Sequence, residues 1–570
     1  MMNLAFSYLP LILLITLMVK KNPMPSSKAL PFSAAVAYMV VLLVFKQDAR
    51  LVNANVISGA LLALTPLSII AGAIFLFKCM EITGALAILR KALDGVSANP
   101  VAQLMIVGWA FMFLIEGASG FGTPAAIAAP ILYSLGFPAL RVALFCLVLN
   151  TIPVTFGAMG TPVWFGLSLL ELPQQSVLEI AQQAALINTI AAPIIVILAL
   201  RLVVSDTADI KKNLLFILLS TCACTLPYLG LSYFGVEFPS LLGGLIGLII
   251  TLLLAKYKIG IEATIQPAAN RPEANRTVAT EHPPKQTPEQ TPEQTPENTV
   301  PLKTLIKAAF PLWGTVLLLV LTRLPELGLK ALLQATEPAL HISLGFLGTF
   351  HISTSLVASL TSILDTAVTW KHSVLYIPSI IPFAVTGSVT LWLFRHSSDS
   401  NSLKTASQQT LARMRTPLFA MLGALIFVNM MMLGDSSGQN SAAVAQIGHH
   451  LAQITGANWT FFAPLLGALG SFFSGSATIS NLTFAGIQTT IAEQLSLPLT
   501  TILALQSVGA AMGNMVCINN IVAVTAILGL QNRDGEILKS TSLILAVFAV
   551  VAGGMGVLLV KVGVGVGVGG

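Results

Sequence analysis

The chain contains 570 residues, of which 55% are hydrophobic and 9% are charged, and its mean hydropathy is +0.85. Soluble domains carry about 25% charged residues, so this chain has too little charge to cover the surface of a water-soluble protein. The composition therefore excludes a soluble enzyme, a nucleic-acid-binding protein and a disordered chain. The net charge of +6 comes from basic residues spread between apolar runs, which is typical of loops that flank membrane helices. We predict a polytopic membrane protein.

Apolar runs of the length that crosses a bilayer, about 20 residues, recur along the whole chain. The first run, Ala5–Val19, precedes Lys20 and Lys21 instead of following a charged segment, so we predict an uncleaved first helix. The other predicted single spans are Leu30–Phe45, Val56–Phe77, Val101–Ile115, Ala184–Val203, Leu214–Tyr233, Pro239–Ala255, Ile306–Leu321, Val374–Phe394, Pro417–Leu433, Asn458–Phe473 and Ser542–Val560.

Four further stretches complete the predicted set. Leu140–Leu170 and Thr500–Leu530 are too long for one helix and are interrupted by glycine and polar residues, whereas Glu81–Ala92 and Leu340–Thr366 are ambiguous. With these stretches included, we predict an all-α polytopic membrane protein with roughly 12–14 transmembrane helices.

A polar segment divides the chain near its middle. Residues 265–301 are rich in Pro, Glu, Gln and Thr and cannot bury an apolar face, so we predict a disordered, solvated linker. The predicted organisation is a first membrane half (1–256), a linker (257–303), a second membrane half (304–562) and a Gly/Val tail (563–570).

The two halves repeat short motifs in the same order, which indicates an internal repeat. Secondary transporters built from inverted repeats hold their substrate between the repeats at mid-membrane, so we predict two inverted repeats around a central site. The matching positions are Ala98-Asn99 with Ala457-Asn458, Thr123 with Thr483, Pro138 with Pro498, and Ala158-Met159-Gly160 with Ala511-Met512-Gly513.

A segment rich in glycine and hydroxyl groups follows the apolar run Val101–Ile115. Glu116–Pro124 contains three glycines, a serine, a threonine and a proline, which break a helix at a depth where irregular backbone must line a cavity or be buried in protein. Pro124 suits the first turn of a new helix, whose amides and dipole attract a carboxylate. Glycine-mediated helix packing is the alternative. The substrate-binding candidates here are Ser119, Gly120, Phe121, Gly122 and Thr123.

The corresponding segment of the second half, Ser474–Thr483, contains five hydroxyl groups and one amide within ten residues. Buried polar groups need hydrogen-bond partners, which a small hydroxylated anion would supply. Hydrogen bonding between helices is the alternative. The substrate-binding candidates here are Ser476, Ser480, Asn481 and Thr483.

Each of these segments is followed by an interrupted helix, and interrupted helices in corresponding positions indicate a transport site. We predict broken helices near residues 140–170, where Asn150–Pro153 leads to Gly157–Pro162, and near residues 500–530, where Gly509–Asn514 leads to Cys517–Asn520. The further substrate-binding candidates are Asn150, Thr151, Gly160, Thr161 and Asn514.

Three segments of the first half, Glu116–Pro124, Cys146–Val154 and Phe156–Pro162, resemble the lactate permease family. The resemblance recurs more loosely in the second half. It implies a secondary active transporter that imports lactate, glycolate or related 2-hydroxymonocarboxylates with a proton across the bacterial inner membrane. It also implies an ion-transporter-superfamily-like fold with re-entrant hairpins near residues 117–135 and 475–495 and an elevator-type motion.

A second resemblance leaves the coupling ion open. The run Ser480–Thr483 is similar to the hairpin tips of sodium-coupled dicarboxylate carriers. A sodium-coupled di- or monocarboxylate transporter of the same superfamily is therefore the alternative. The sequence departs from the usual family pattern at Ser474–Thr483 and Gly513–Asn520, which bears on substrate preference more than on the class of transporter.

Proton coupling requires a titratable group within the membrane region. Glu116 is the leading candidate because it adjoins the predicted cavity, and Asp365 and His351 come next. The alternatives are a pairing acid for Glu116, an exposed helix end for Asp365 and a hydrogen-bonding helix residue for His351. Arg141 and Arg323 are candidates for offsetting the charge of the substrate, although an arginine near a helix end commonly extends to the membrane interface.

The sequence contains no nucleotide motif, no metal-ligand spacing and no catalytic constellation, so we expect no cofactor, no metal and no enzymatic activity. The expected partners are the substrate and the lipid bilayer, without nucleic acid, and assembly into a homo-oligomer stays open. Basic residues gather at Arg201–Lys212, Lys256–Lys258 and Arg395–Arg415. The positive-inside rule therefore predicts that these loops and the linker are cytoplasmic.

Overall fold

The computed structural model describes residues 2–19, 24–94, 97–120, 123–204, 206–262, 301–323, 327–395, 401–434, 442–531 and 533–562. Most of the predicted linker and the whole predicted tail lie outside these residues. The predictions made for those two segments therefore stay predictions.

The described part of the first half is helical, because a backbone inside a bilayer must satisfy its hydrogen bonds within each segment. One π-helical stretch, Val40–Val44, follows α2, and a second, Leu104–Phe111, precedes α7. The α-helices are α1 (Met2–Val19), α2 (Ser26–Met39), α3 (Ala49–Leu62), α4 (Leu64–Ile82), α5 (Ala85–Asp94), α6 (Pro100–Gln103), α7 (Met112–Ala118), α8 (Thr123–Ser134), α9 (Ala139–Leu149), α10 (Thr151–Val154), α11 (Gly157–Trp164), α12 (Gln174–Val203), α13 (Thr207–Lys212), α14 (Leu214–Leu231) and α15 (Pro239–Lys256).

The second half is also mostly helical in its described part. A π-helical stretch, Ser379–Val385, precedes α18. The α-helices are α16 (Leu302–Arg323), α17 (Leu329–Leu333), α18 (Thr386–Leu393), α19 (Ser402–Arg413), α20 (Arg415–Met432), α21 (Ala443–Thr455), α22 (Trp459–Ser474), α23 (Ala477–Gln494), α24 (Leu499–Met512), α25 (Ile518–Ile527) and α26 (Asp534–Val562).

A small sheet lies between α17 and α18, so counting Leu340–Thr366 among the predicted helices is wrong. Polar and apolar residues alternate there, as in Thr349, His351 and Ser353; a period of two suits a half-exposed strand and not a lipid-facing helix. The sheet packs through Ile363 and Trp370 against Ala54 of α3. Its antiparallel strands, in the order β1-β2-β3-β4, are β1 (Ala339–Ser343), β2 (Thr349–Ser353), β3 (Val357–Thr361) and β4 (Trp370–Ser373).

The described residues contain ten helices that are long and apolar enough to cross a membrane. The number rises to 11 if the bent pair Ala139–Val154 and Gly157–Leu170 forms one span. Two shorter apolar helices, Asn3–Met18 and Ser379–Leu393, are further candidates. The structure is therefore that of a polytopic, predominantly helical membrane protein.

Two of the sequence matches between the halves occupy corresponding places in the structure, whereas Thr123 begins α8 and Thr483 lies within α23. Asn99 is the N-cap residue of α6, and Asn458 is the N-cap residue of α22. Pro138 and Pro498 likewise immediately precede α9 and α24. These two matches thus mark the starts of corresponding helices.

Candidate functional site

Two helical hairpins occupy corresponding positions in the two halves. In the first half, α7 ends at Ala118 and α8 begins at Thr123, and in the second half Gly475 and Ser476 join α22 to α23. Each turn contains a glycine with left-handed backbone, Gly120 with φ 59° and Gly475 with φ 70°, a conformation that glycine adopts at low cost. The turns lie where the sequence predicted the hairpin tips.

Two broken helices follow these hairpins, as the sequence predicted. The segments Ala139–Val154 and Gly157–Leu170 are bent by 56° relative to each other, and residues 158–160 have left-handed φ values of 45°, 57° and 73°. In the second half, α24 ends in a 3-10 turn, Gly513–Val516, before α25 begins. The matching Ala-Met-Gly motifs lie at these two interruptions.

Side chains from other helices bind backbone groups near the first interruption. The Ser240 hydroxyl donates to the Pro153 carbonyl oxygen at 2.6 Å, and Asn481 Nδ2 of the second half donates to the Pro162 carbonyl oxygen at 2.8 Å. Irregular backbone at membrane depth is tolerated only when protein satisfies it or when it lines a cavity. These hydrogen bonds therefore help to hold the broken helix in place.

A narrow cavity of about 20 Å³ lies where the hairpins and broken helices meet. This volume holds about one water molecule, whereas sites for small molecules usually measure several hundred Å³. In this structure the cavity is therefore too small to hold a substrate molecule. The first half contributes to its wall Glu116, Gly120 and Gly157, and the second half contributes Ser476, Thr478 and Asn514.

The Glu116 carboxyl group is the acidic group in the wall of this cavity, and the residue is only 3% exposed. Its Oε2 accepts a hydrogen bond from Asn150 Nδ2 at 3.1 Å. None of the three ion pairs formed by the described residues includes Glu116. A buried carboxylate without a cation nearby is costly, which makes Glu116 a group whose charge state matters to the site.

A second cavity of about 70 Å³ adjoins the first. Asn150, Asn514 and Asn520 line it, and Asn514 also lines the first cavity. The Asn150 Oδ1 atom is buried and has no hydrogen-bond partner among the described residues. Buried amide oxygens nearly always have a partner, so this oxygen is available to accept a hydrogen bond from a ligand.

The N-terminus of α23 opens onto the first cavity. Ser476 is the N-cap residue, and its hydroxyl accepts a hydrogen bond from the Ile479 amide at 3.3 Å. The cavity-lining residues Ala477 and Thr478 are in the first turn, where the amides of a helix have no partner within the helix. Such amides, together with the helix dipole, favour an anion.

The structure brings together some of the predicted substrate-binding residues and not others. Gly120, Ser476 and Asn514 line the first cavity, and Asn150 lines the second. Phe121, Gly122 and the Thr123 side chain lie outside the described part of the structure. Four other predicted residues use their hydroxyl groups to donate to a backbone carbonyl oxygen three or four residues earlier in the chain. These hydrogen bonds are Ser119 to Ile115, Thr151 to Val148, Thr161 to Ala158 and Thr483 to Ile479.

Ser480 and Asn481 belong to a buried hydrogen-bond network between helices. Ser480 Oγ donates to the Gly467 carbonyl oxygen at 2.6 Å and accepts from Gln506 Nε2 at 3.2 Å. Gln506 Oε1 in turn accepts from Gln488 Nε2 at 2.8 Å. Neither Ser480 nor Asn481 lines either of the two cavities, so the structure favours the alternative role, hydrogen bonding between helices.

The lower-ranked acid–base candidates lie away from the cavity. His351 is on β2, where its Nε2 contacts Thr361 Oγ1 at 3.0 Å, and Asp365 is an exposed residue of the β3–β4 connection. The small sheet is not part of either cavity wall. The structure therefore does not bring these two residues together with Glu116.

The two arginine candidates already have partners. Arg141 donates to the Val203 carbonyl oxygen at 3.3 Å, at the end of α12. Arg323, at the end of α16, forms an ion pair with Glu237 at 3.3 Å and lies 3.8 Å from the Tyr376 ring centroid. Neither arginine lines the cavities, so a direct contact with the substrate has no support in this conformation.

Sequence reasoning did not select several residues that the structure places at the site. Among them, Gly157, Ala477 and Thr478 line the first cavity and Asn520 lines the second, and all four belong to the predicted hairpin or broken-helix segments. Only the interruption of the helices pointed to them. Glu237 was also missed, because its partner Arg323 is 86 positions away in the chain.

A helical membrane protein in which hairpins and broken helices of both halves enclose a polar cavity has the architecture of a secondary transporter. The family model for L-lactate permease matches residues 4–563, and the chain belongs to this family. It is a permease and not an enzyme, and it is a multi-pass protein of the bacterial inner membrane.

Individual relatives match over nearly the whole length. An L-lactate permease homologue of Haemophilus influenzae is 43% identical over 552 residues, which cover 97% of each chain. The L-lactate permease of Escherichia coli K12 is 27% identical over 90% of this chain and 88% of its own. A glycolate permease of the same strain is 24% identical over 90% of this chain and 88% of its own.

Proposed function

We propose that this permease imports lactate, glycolate or a related 2-hydroxymonocarboxylate together with a proton. One observation carries the proposal: the buried Glu116 carboxyl group lies in the wall of a cavity to which both halves contribute. Membership of the L-lactate permease family supports the substrate class, and the names of the two Escherichia coli relatives support L-lactate and glycolate.

The polar groups around the two cavities suit the two ends of such a substrate. The substrate carboxylate would bind at the N-terminal turn of α23, where Ala477 and Thr478 line the first cavity. The 2-hydroxyl group would donate to the unpartnered Asn150 Oδ1. A monocarboxylate without the hydroxyl group would leave that oxygen buried and unsatisfied, at a cost of about 1–3 kcal/mol.

Glu116 would couple the proton to the substrate through charge. An ionised Glu116 and a substrate carboxylate in one small cavity repel each other strongly in surroundings of low dielectric constant. Protonation of Glu116 removes this repulsion. The bound proton therefore raises the affinity for the substrate, and the bound substrate raises the affinity for the proton. Asn150 holds the Glu116 carboxyl group at 3.1 Å and so links the proton site to the proposed hydroxyl site.

Loading of the substrate requires the narrow cavity to widen. Small side chains from both halves, Val154, Ala477, Ala510 and Ala511, pack against one another beside the cavity. Their contact area is small, so separating them costs less than separating large apolar side chains would. We infer that the two halves part along this cluster when the site opens.

Transport measurements test the proposal. Right-side-out vesicles that contain the chain should accumulate labelled L-lactate under an inward proton gradient without sodium, and unlabelled glycolate should compete. Accumulation that requires a sodium gradient and ignores pH would instead support the sodium-coupled alternative. Absence of lactate transport under both gradients would contradict both versions. The Ser480 and Asn481 side chains on which the alternative depends are bound to other helices in this structure.

The proposed orientation places the linker in the cytoplasm. Basic residues concentrate in Arg201–Lys212, in Lys256–Lys258 and in Arg395–Arg415, as the positive-inside rule expects of cytoplasmic loops. The helix α16 follows the linker and spans 22 residues, so a single crossing would put the small sheet on the opposite side. A cysteine in the linker that reacts with an impermeant reagent in intact cells would contradict this orientation.

A further inference from the structure

Two histidines stand opposite each other on the small sheet. His341 of β1 and His351 of β2 are paired in the antiparallel register. Their Nδ1 atoms lie 2.5 Å apart, and the ring centroids are 4.7 Å apart. His341 is exposed and His351 is half-buried. Two imidazole rings whose Nδ1 atoms face each other resemble a pair of histidine ligands on either side of a transition-metal ion.

The hydrogen bonds of Thr361 indicate which tautomer His351 adopts. Thr361 Oγ1 donates to the Thr349 carbonyl oxygen at 3.4 Å and contacts His351 Nε2 at 3.0 Å. A hydroxyl group has one proton to donate, so when Thr361 gives its proton to the Thr349 carbonyl oxygen, His351 Nε2 is the donor in the second contact. In that tautomer the His351 Nδ1 atom carries a lone pair, which it directs at His341.

We infer that His341 and His351 bind a divalent transition-metal cation between their Nδ1 atoms, at a site on the sheet that is separate from the transport cavity. The cation takes the place of the proton shared by the two rings, and that proton moves to the Nε2 atom of the exposed His341 ring. Both imidazoles stay neutral, as metal ligands must be.

The geometry requires only a small adjustment. With metal–nitrogen distances of about 2.0–2.1 Å and tetrahedral angles, the two nitrogens are about 3.3 Å apart, so the rings must separate by less than about 1 Å. Thr361 would keep its hydrogen bond to His351 Nε2 and orient that ring, as second-shell groups commonly do for metal-bound histidines.

The chemistry of the ligands defines which ions bind. Imidazole nitrogens suit Ni²⁺, Cu²⁺ and Zn²⁺, and they do not suit Mg²⁺ or Ca²⁺, which prefer oxygen. The described residues contain no group of three or more His, Cys, Asp and Glu side chains that could hold a metal. Water would therefore complete the coordination, and the site would be open and its binding reversible.

Calorimetric titration of the untagged, full-length chain in detergent tests this inference with Ni²⁺ as the probe and Mg²⁺ as the reference ion. We expect the wild type to bind one equivalent of Ni²⁺ that is lost, or weakened about tenfold or more, in both His341→Gln and His351→Gln. The matched control is His449→Gln, which removes an exposed histidine beside His450 and should leave this equivalent unchanged.

Several outcomes would overturn the inference: no Ni²⁺ binding by the wild type, equal binding by the wild type and both sheet variants, or loss of the equivalent in His449→Gln alone. Gel filtration shows whether each variant is folded. If His351→Gln does not fold, the exposed His341→Gln decides the question by itself. Lactate uptake plays no part in this readout, so failure of the metal site and failure of the proposed transport function are distinguishable.

Discussion

The Gly157 backbone lies directly against the Glu116 carboxyl group. A Cβ atom at position 157 would come within 2.3 Å of Glu116 Oε1 and 3.2 Å of its Cδ. No side chain fits there unless the carboxyl group moves, and a move would disturb its hydrogen bond to Asn150. The broken helix thus makes room for the acid at the point where the two halves meet.

We expect Gly157→Ala to reduce lactate uptake about tenfold or more while the protein stays folded, because a misplaced catalytic or binding group typically costs that much or more. The measurement is initial uptake by vesicles matched for the amount of carrier. Gly554→Ala is the control, since a Cβ atom there meets nothing within 4 Å. Normal uptake by Gly157→Ala would show that the Glu116 position is unimportant.

Asn150 should determine preference for the 2-hydroxyl group. Wild-type carrier should bind lactate about tenfold more tightly than propionate, because one hydrogen bond of roughly 1.4 kcal/mol corresponds to a tenfold ratio of affinities. Asn150→Leu should lose most of this preference. Competition against labelled lactate measures both affinities. Thr161→Val should keep the preference, because the Thr161 hydroxyl donates to the Ala158 carbonyl oxygen. If the ratio of the affinities for lactate and propionate is unchanged in Asn150→Leu, the 2-hydroxyl group of the substrate binds elsewhere.

Ser480 should contribute to stability and not to substrate binding. Ser480→Ala removes hydrogen bonds to Gly467 and Gln506 and should cost about 1–3 kcal/mol of unfolding free energy, since it leaves buried polar groups without a partner. The melting temperature should fall while the KM for lactate stays within about twofold. A large rise in KM without loss of stability would restore Ser480 as a substrate ligand.

Glu237 and Arg323 tie the two halves together beside the broken helix. The Arg323 side chain is 5% exposed and that of Glu237 is 18% exposed, and a Cβ atom on Gly160 would collide with the backbone beside Glu237. Glu237→Gln leaves the arginine charge buried and uncompensated, which typically costs about 3–5 kcal/mol.

The melting temperature of the purified variants measures this cost. Arg323→Leu added to Glu237→Gln should recover much of the loss, because the uncompensated charge is then gone. Glu536→Gln is the control: its exposed pair with Arg533 is worth at most about 1 kcal/mol. If Glu237→Gln is no less stable than Glu536→Gln, the buried pair does not hold the halves together.

Much of the architecture could be predicted from the sequence because its signals are local. Glycine, proline and hydroxyl residues interrupt apolar runs at Glu116–Pro124 and Ser474–Thr483, and the structure has hairpin turns in both segments. The small sheet was missed because its strands are short, with four or five residues each, and because polar residues alternate with apolar ones in them. The pairing of those strands is a property of tertiary structure.

The individual roles within the site were harder to predict, because partners are distant in the chain. Asn481 donates to the Pro162 carbonyl oxygen, 319 positions away, and no local pattern distinguishes this role from substrate binding. Glu116 could be selected because it adjoins the glycine-rich break that predicted the cavity. Its partner Asn150 was selected for a different reason, the broken helix, and the structure joins the two.

The coupling role of Glu116 is tested most directly by comparing two transport modes in Glu116→Gln. The neutral side chain imitates protonated glutamate, so vesicles with this variant should still exchange labelled for unlabelled lactate at a rate within a few-fold of wild type. They should no longer accumulate lactate under an inward proton gradient. Accumulation at the wild-type level in Glu116→Gln would contradict the proposal, because another group would then carry the proton.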